Sequence, residues 1–194
     1  FPFGLQPDLP LRIEGWLEAV RRRTREGIEC PSVLHDLNRL LDEMRLVKDA
    51  YEIAQMRLAV DATARAFDDV IAELPKILAH ERGERIVEGV FAGRARADGN
   101  GVGYETIAAA GPHACILHWV KNEGDVRPGT LLLLDAGVEA HTLYTADITR
   151  TYPSGGRFSP RQREVYRLVL DAQSAAVADF KPGVSTIASL SRVV

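Results

Sequence analysis

The sequence predicts an α+β fold in which helices cover an antiparallel sheet. Three observations carry this. Segments with apolar residues at helical spacing fill most of the first hundred residues. Four β-type segments then follow one another between residues 104 and 153, and no helical pattern separates them. Strands met in succession and joined by Gly, Pro, Asn and Asp pair antiparallel, and the flanking helices must bury the sheet's apolar face.

Taken in order, residues 1–10 are Pro-punctuated and irregular. "IEGWLEAVRRRTREG" (13–27) is helical in composition, with Gly27 as its stop. Its Arg21–Arg22–Arg23 cluster lies beside Glu18 and Glu26 and reads as a solvated helix face rather than a nucleic-acid patch. "PSVLHDLNRLLDEMRLVK" (31–48) carries Leu34, Leu37, Leu40, Leu41 and Met44 at helical spacing. Asp49 and Glu52 form a capping-box pair that opens the clearest helix. Ile53, Met56, Val60, Ala64, Phe67, Val70, Ile71 and Leu74 make its apolar stripe, and Pro75 ends it. "GERIVEGVFAGRARA" (83–97) is a second helix with Ile86, Val90 and Phe91 on one face, and "DGNGVG" (98–103) is a turn. The strands expected next are 104–111, 114–120, 130–137 and 143–153. Ser159, with Pro160 and Gln162, caps a last long helix whose core face is Val165, Leu168, Val169, Ala172, Ala176 and Phe180. "KPG" (181–183) stops it, and Ser185 is placed to cap another.

Bulk properties narrow the function. A hydrophobic content of 46% and a charged content of 26% are globular values, and a formal net charge of −3 gives no general attraction to nucleic acid or an anionic membrane. The longest purely aliphatic run, Leu131–Leu134, is far short of the roughly 20 residues of a membrane span. Cys30 and Cys115 form no disulfide framework. They read as core fillers and fit a cytoplasmic protein. The chain starts without Met and stops in the apolar "STIASLSRVV" without a breaker, so it reads as a segment of a longer protein.

The stretch "LLLLDAGVEAHTLYTADITRTYP" (131–153) bears the chemistry. Asp is depleted in strands and rarely fully buried unpaired, yet Asp135 follows four leucines and Asp147 lies twelve residues on. A hairpin turning near residue 141 would set the two opposite each other. Like charges about 4 Å apart repel by roughly 4 kcal/mol at an effective dielectric of 20. A shared proton, a nearby cationic side chain or a metal would relieve this. Arg150 is an odd number of residues from Asp147 and points to the other face. An acid-protease dyad lacks its usual Asp-Thr/Ser-Gly context here. Metal binding, a turn or capping role for Asp135, and acid–base pairing therefore stay open; oxygen ligands suit Mg, Mn or Ca, with Zn or Co if imidazole joins. His118, in the expected strand 114–120, is the next candidate, against its reading as a core histidine. His35, His80, His113 and His141 form no HxH or HExxH cluster.

Four strings carry a family resemblance: "LLDEMRLVKDAYEIAQMRLAVDATARAF", "YETIAAAGPHACILHW", "LLLLDAGVEAHTLYTADITRTYPSGGRFSPRQREVY" and "KPGVS". Together they resemble the metallopeptidase clan of methionine aminopeptidase, prolidase and aminopeptidase P, and most nearly the aminopeptidase P family. The resemblance implies a pita-bread fold, two pseudo-symmetric α+β halves around a cleft holding two metal ions. This chain resembles the first half, residues 49–194, preceded by the end of an N-terminal domain and linker, residues 1–48. It implies Asp135 as a ligand of one metal, Asp147 as the ligand bridging both, and His118 as a catalytic histidine outside the metal shell that contacts the scissile amide. The implied cofactor is two divalent ions, favoured as Mn²⁺, that hold a hydroxide between them. The implied substrate is a peptide with proline second; no nucleic acid or membrane partner is expected, and a homo-oligomer is compatible. The family's remaining ligands, one histidine and two glutamates, would lie beyond Val194, so the 194 residues alone are expected to be inactive. Prolidase activity and a non-catalytic pita-bread binding module are the alternatives. Retention of Asp135, Asp147 and His118 argues against the binding module and against a metal-free, creatinase-like hydrolase.

Overall fold

Helical spacing in the first fifty residues becomes two helices in the computed structural model, which describes residues 7–181. The first, α1 (Leu9–Arg21), continues into a 3-10 turn at Thr24–Glu26 and is closed by Gly27 in the left-handed region at φ 81°. Arg21 and Arg23 pair with Glu18 and Glu26, as expected of a solvated face. The second, α2 (Asn38–Leu46), is shorter than its spacing predicts. Residues 28–37 are irregular, since Pro31 disfavours helical backbone at Cys30 and supplies no donor. Leu34, Leu37, Leu40 and Met44 are exposed. The chain divides into two compact units, Phe1–Ile53 and Ala54–Val194.

The expected capping box is present. Glu52 N donates to Asp49 Oδ1 at 2.8 Å and Asp49 N to Glu52 Oε2 at 2.7 Å, which opens α3 (Ala50–Ala72). Its buried face takes Phe67 and Val70 from the expected stripe and otherwise consists of small residues. Ala59, Ala62, Thr63, Ala66, Phe67 and Val70 are buried, whereas Ile53, Met56, Val60 and Ile71 are exposed. The small side chains let the helix approach the sheet closely. Thr63 Oγ1 donates to Ala59 O at 2.8 Å and accepts from the backbone N of Val138 at 2.9 Å. Pro75 sits in the first turn of the short α4 (Leu74–Leu78), and α5 (Gly83–Asp98) follows as expected.

Five strands follow: β1 (Gly101–Val102), β2 (Ile107–Ala110), β3 (Leu131–Ala136), β4 (Val138–Glu139) and β5 (Ile148–Pro153). β1 pairs with β4, and β2, β3 and β5 form an antiparallel sheet in the order β2-β3-β5. Leu132, Leu134 and Ala136, on the inner face of β3, join Phe67, Val70, Val87 and Phe91 in one core. Phe67 and Phe91 meet edge to face with centroids 5.8 Å apart. The expected strand 114–120 is absent; Gly111–Cys115 is a 3-10 turn, followed by a bend. Pro112 lacks a donor, and Gly111, His118 and Asn122 all have left-handed φ, which no strand accommodates.

α6 (Pro160–Asp179) has the predicted cap, with Ser159 and Gln162 in a reciprocal box. Its predicted core face is not buried, and Val165, Leu168, Val169 and Phe180 are all exposed. Neither cysteine is a core residue: Cys115 is exposed and Cys30 half-buried. The expected stop at 182–183 and the cap at Ser185 lie outside the described residues. Among those described, no helix is long and apolar enough to cross a membrane.

Candidate active site

β3 alternates strictly between half-exposed Leu131, Leu133 and Asp135 and buried Leu132, Leu134 and Ala136. The register with β5 places Asp135 opposite Thr149, while β2 sets Ile107 against its other side. The hairpin therefore turns one residue later than expected, and the two aspartates are not directly opposed. Asp147 immediately precedes β5, two residues from Thr149, and so lies on Asp135's face of the sheet as its diagonal neighbour. The tip of the hairpin explains the shift. Leu143 N donates to Ala140 O at 2.9 Å and Ala140 N to Tyr144 O at 2.8 Å, closing a three-residue loop with Leu143 left-handed at φ 70°.

Between Asp135 and the tip, the chain crosses from one sheet to the other at Gly137. Gly103 N donates to Gly137 O at 2.8 Å, extending the β1–β4 pairing toward Tyr104. On the other side, a Cβ at Gly137 would run into the carbonyl oxygen of Ala146, and it would stand 3.1 Å from Cε1 of Tyr104. Only a bare backbone lets these three segments meet.

Tyr104 occupies the place where they meet. Its hydroxyl lies 2.6 Å from Asp135 Oδ1 and 3.0 Å from Asp147 Oδ1. The two carboxylates thus converge on one phenol oxygen. Burial, then the hydrogen bond to and charge of Asp135, then those of Asp147, hold the phenol well above its ordinary range, so it stays a donor. A phenol has one proton to give, which leaves a second carboxylate beside an oxygen lone pair. Neither aspartate forms an ion pair among the described residues. Arg150 shares a rung with Leu134, and its Nη1 donates to Thr149 O instead. The Oδ2 oxygens of both aspartates have no hydrogen-bond partner among the described residues, so the donor set suits a hard divalent cation.

Tyr104 has no counterpart in the sequence reading. Its role depends on the pairing of β1 with β4, a contact between segments 37 residues apart that local periodicity does not signal. Its substitution gives a direct test. If the carboxylates that Tyr104 bridges ligate a divalent metal, Tyr104→Phe should weaken that binding about 10-fold, the lower range for loss of a partner to a ligand, measured by metal titration. It should also flatten the alkaline loss of stability. A raised folded pKa contributes stability that is complete below the unfolded value of 10.0 and is lost as pH rises beyond it.

His118 does not lie on a strand. It is exposed, in the bend after the 3-10 turn, with φ 56°. No group of three or more His, Cys, Asp or Glu side chains suited to a metal occurs among the described residues.

The profile of metallopeptidase family M24 matches residues 54–194. The chain belongs to metallopeptidase family M24. Among M24 relatives, Xaa-Pro aminopeptidase 2 of Streptomyces coelicolor is 57% identical over 148 residues, which cover 76% of this chain and 31% of that protein. The Xaa-Pro aminopeptidase of Escherichia coli is 35% identical over 188 residues, covering 92% and 40% respectively. A Glu→Ala variant of Escherichia coli aminopeptidase P in complex with substrate superposes with a TM-score of 0.85 at 32% identity, covering 100% of this chain and 43% of that one. Pseudomonas aeruginosa aminopeptidase PepP gives 0.84 at 34%, covering 99% and 43%. The fold is therefore the expected one, α+β and the first half of a pita-bread architecture. This chain spans less than half the length of each of these relatives.

Proposed function

We propose that the chain is the N-terminal half of the catalytic domain of a metal-dependent Xaa-Pro aminopeptidase, with residues 49–194 forming that half and residues 1–48 the end of a preceding domain and linker. The observation that carries the reading is the convergence of Asp135 and Asp147 on the hydroxyl of Tyr104. Two carboxylates that meet with no cationic side chain beside them form a donor set suited to a hard divalent cation. The substrate, a peptide with proline second, is suggested by the names of the Streptomyces coelicolor and Escherichia coli relatives, which are Xaa-Pro aminopeptidases.

In this reading Asp135 and Asp147 would hold divalent ions, and Mn²⁺ would suit the oxygen-rich ligation. When bound, the ions supply Lewis-acid polarisation of the scissile carbonyl and activation of water. This chain's own residues do the rest. Tyr104 spends its proton on the ligand carboxylates, fixing their orientation. His118 projects from its bend to hydrogen-bond the amide as it changes geometry or as its nitrogen departs. Two carboxylates bind metal weakly, so the ligand set is completed by residues outside this chain, and the chain alone is inactive. The two unbridged cysteines agree with a cytoplasmic setting.

The test is release of the N-terminal residue from an Xaa-Pro peptide in the presence of Mn²⁺. The complete polypeptide should be active, chelation should abolish that activity, and residues 1–194 alone should show none. Hydrolysis by the isolated chain, or chelator-resistant hydrolysis by the complete one, would overturn the reading.

A further inference from the structure

Among the described residues the outer edge of β2 has no strand beside it, yet its polar groups are paired. Asn122, fully buried with left-handed φ, accepts from Ala108 N at 2.9 Å and donates to Thr106 O at 2.8 Å. The next free amide, Ala110 N, donates to Glu84 Oε1 at 2.8 Å. Side chains thus take the place of an edge partner.

Glu84 does more than close that edge. It lies in the first turn of α5 and is completely buried. Its Oε1 also meets His113 Nδ1 at 2.8 Å, and its Oε2 accepts from Trp119 Nε1 at 2.9 Å and from Gly124 N at 2.7 Å. Its own backbone N donates to Gly124 O at 3.1 Å. The rings of His113 and Trp119 stack with centroids 3.9 Å apart and planes at 24°. Three separate points of one loop, at 113, 119 and 124, therefore converge on a single carboxylate. Three N–H groups, of Ala110, Trp119 and Gly124, donate to it, and His113 Nδ1 lies within hydrogen-bond distance. A side chain at Gly124 would meet both His113 and Glu84, so the packing leaves no slack.

Between the first two tied points stands His118, exposed and left-handed at φ 56°. A non-glycine residue holds that conformation only where its surroundings dictate it. Here the following residue is anchored through its indole, and Val120 N returns a hydrogen bond to His118 O at 2.9 Å.

We infer that Glu84 is a positioning residue of this active site: by anchoring His113, Trp119 and Gly124 it sets the backbone from which the His118 imidazole reaches the substrate. The inference rests on the role proposed above for His118. Glu84 touches neither substrate nor metal ligands and acts only through the loop.

Glu84→Gln keeps the volume but turns a donor toward donors on one side or the other. In the complete polypeptide it should lower kcat for an Xaa-Pro peptide on the order of 10²-fold, the scale of a misplaced catalytic group, with KM and metal stoichiometry nearly unchanged. Trp119→Phe keeps the stacked ring and removes one anchor; it should lower kcat about 10-fold, a smaller share of that same scale. It decides the matter if the Gln variant does not fold. The deciding measurement repeats each substitution in a His118→Ala background. If Glu84 acts through His118, neither substitution lowers kcat further there. Losses that multiply, or that fall equally on metal content, make Glu84 merely structural and overturn the inference. An inactive wild-type polypeptide would instead overturn the functional proposal. The Trp119 indole N–H resonance would then still have to shift in Glu84→Gln for the anchor itself to stand.

Discussion

Asp147→Asn in the complete polypeptide is expected to lower kcat/KM for an Xaa-Pro peptide by about 10³-fold or more, equivalent to roughly 4 kcal/mol of transition-state stabilisation, while leaving the metal-free protein at least as stable as before. The two effects separate chemistry from folding. Asparagine has nearly the shape of aspartate, and its amide offers both an acceptor and a donor to the Tyr104 hydroxyl, which lies 3.0 Å from Asp147 Oδ1. The substitution removes one of two like charges that no cationic side chain offsets, so the apo protein loses a repulsion. On the proposed reading it also removes an anionic ligand, which weakens binding of a hard cation. A thermal melt with and without Mn²⁺ reads both. Metal that binds only the folded protein stabilises it by about 2.7 kcal/mol at a hundredfold excess over Kd; the wild type should show this upward shift in Tm and the variant should lose it. A variant that keeps both the shift and the activity would remove Asp147 from the metal site.

The sheet and the aspartate pair were legible in the sequence for a physical reason: Asp is depleted in strands, so Asp135 after a leucine run and Asp147 within β-type sequence both stand out. The capping boxes at Asp49 and Ser159 were legible because they are local, each needing only residues three apart. What failed was everything that depends on which face finds a neighbour. On α3 the side chains at 53, 56, 60 and 71 were expected in the core with Phe67 and Val70, but only the latter two join the alanine face that packs. On α6 the apolar stripe is real but exposed. The segment 114–120 has the composition of a strand, and its bend is held by Glu84, some thirty residues upstream. The same distance hid Tyr104. No pattern within a dozen residues records that its phenol will meet Asp135 and Asp147.

Among the glycines of the described residues, Gly137→Ala is expected to be the most damaging substitution. The missing Cβ would collide with the carbonyl oxygen of Ala146, a backbone atom that cannot rotate away, and with the ring of Tyr104 behind it. Relief requires the two strands to part where β3 hands over to β4. That separation strains the 3.2 Å bond from Ala146 N to Val138 O and shifts Asp147, the very next residue. Overpacking of this kind costs about 1–3 kcal/mol, and at about 2–4 °C per kcal/mol for a chain of this size the Tm should fall by roughly 2–12 °C. Divalent-metal binding should weaken more than the loss of stability alone explains, because the ligand geometry moves with the backbone. Gly89→Ala supplies the control. It lies exposed within α5, and a Cβ there meets nothing within 4 Å. It should therefore stabilise the helix by about 0.5–1 kcal/mol. If Gly137→Ala melted with the wild type and bound metal as tightly, the close approach of Ala146 to Gly137 would not be what holds Asp135, Asp147 and Tyr104 together.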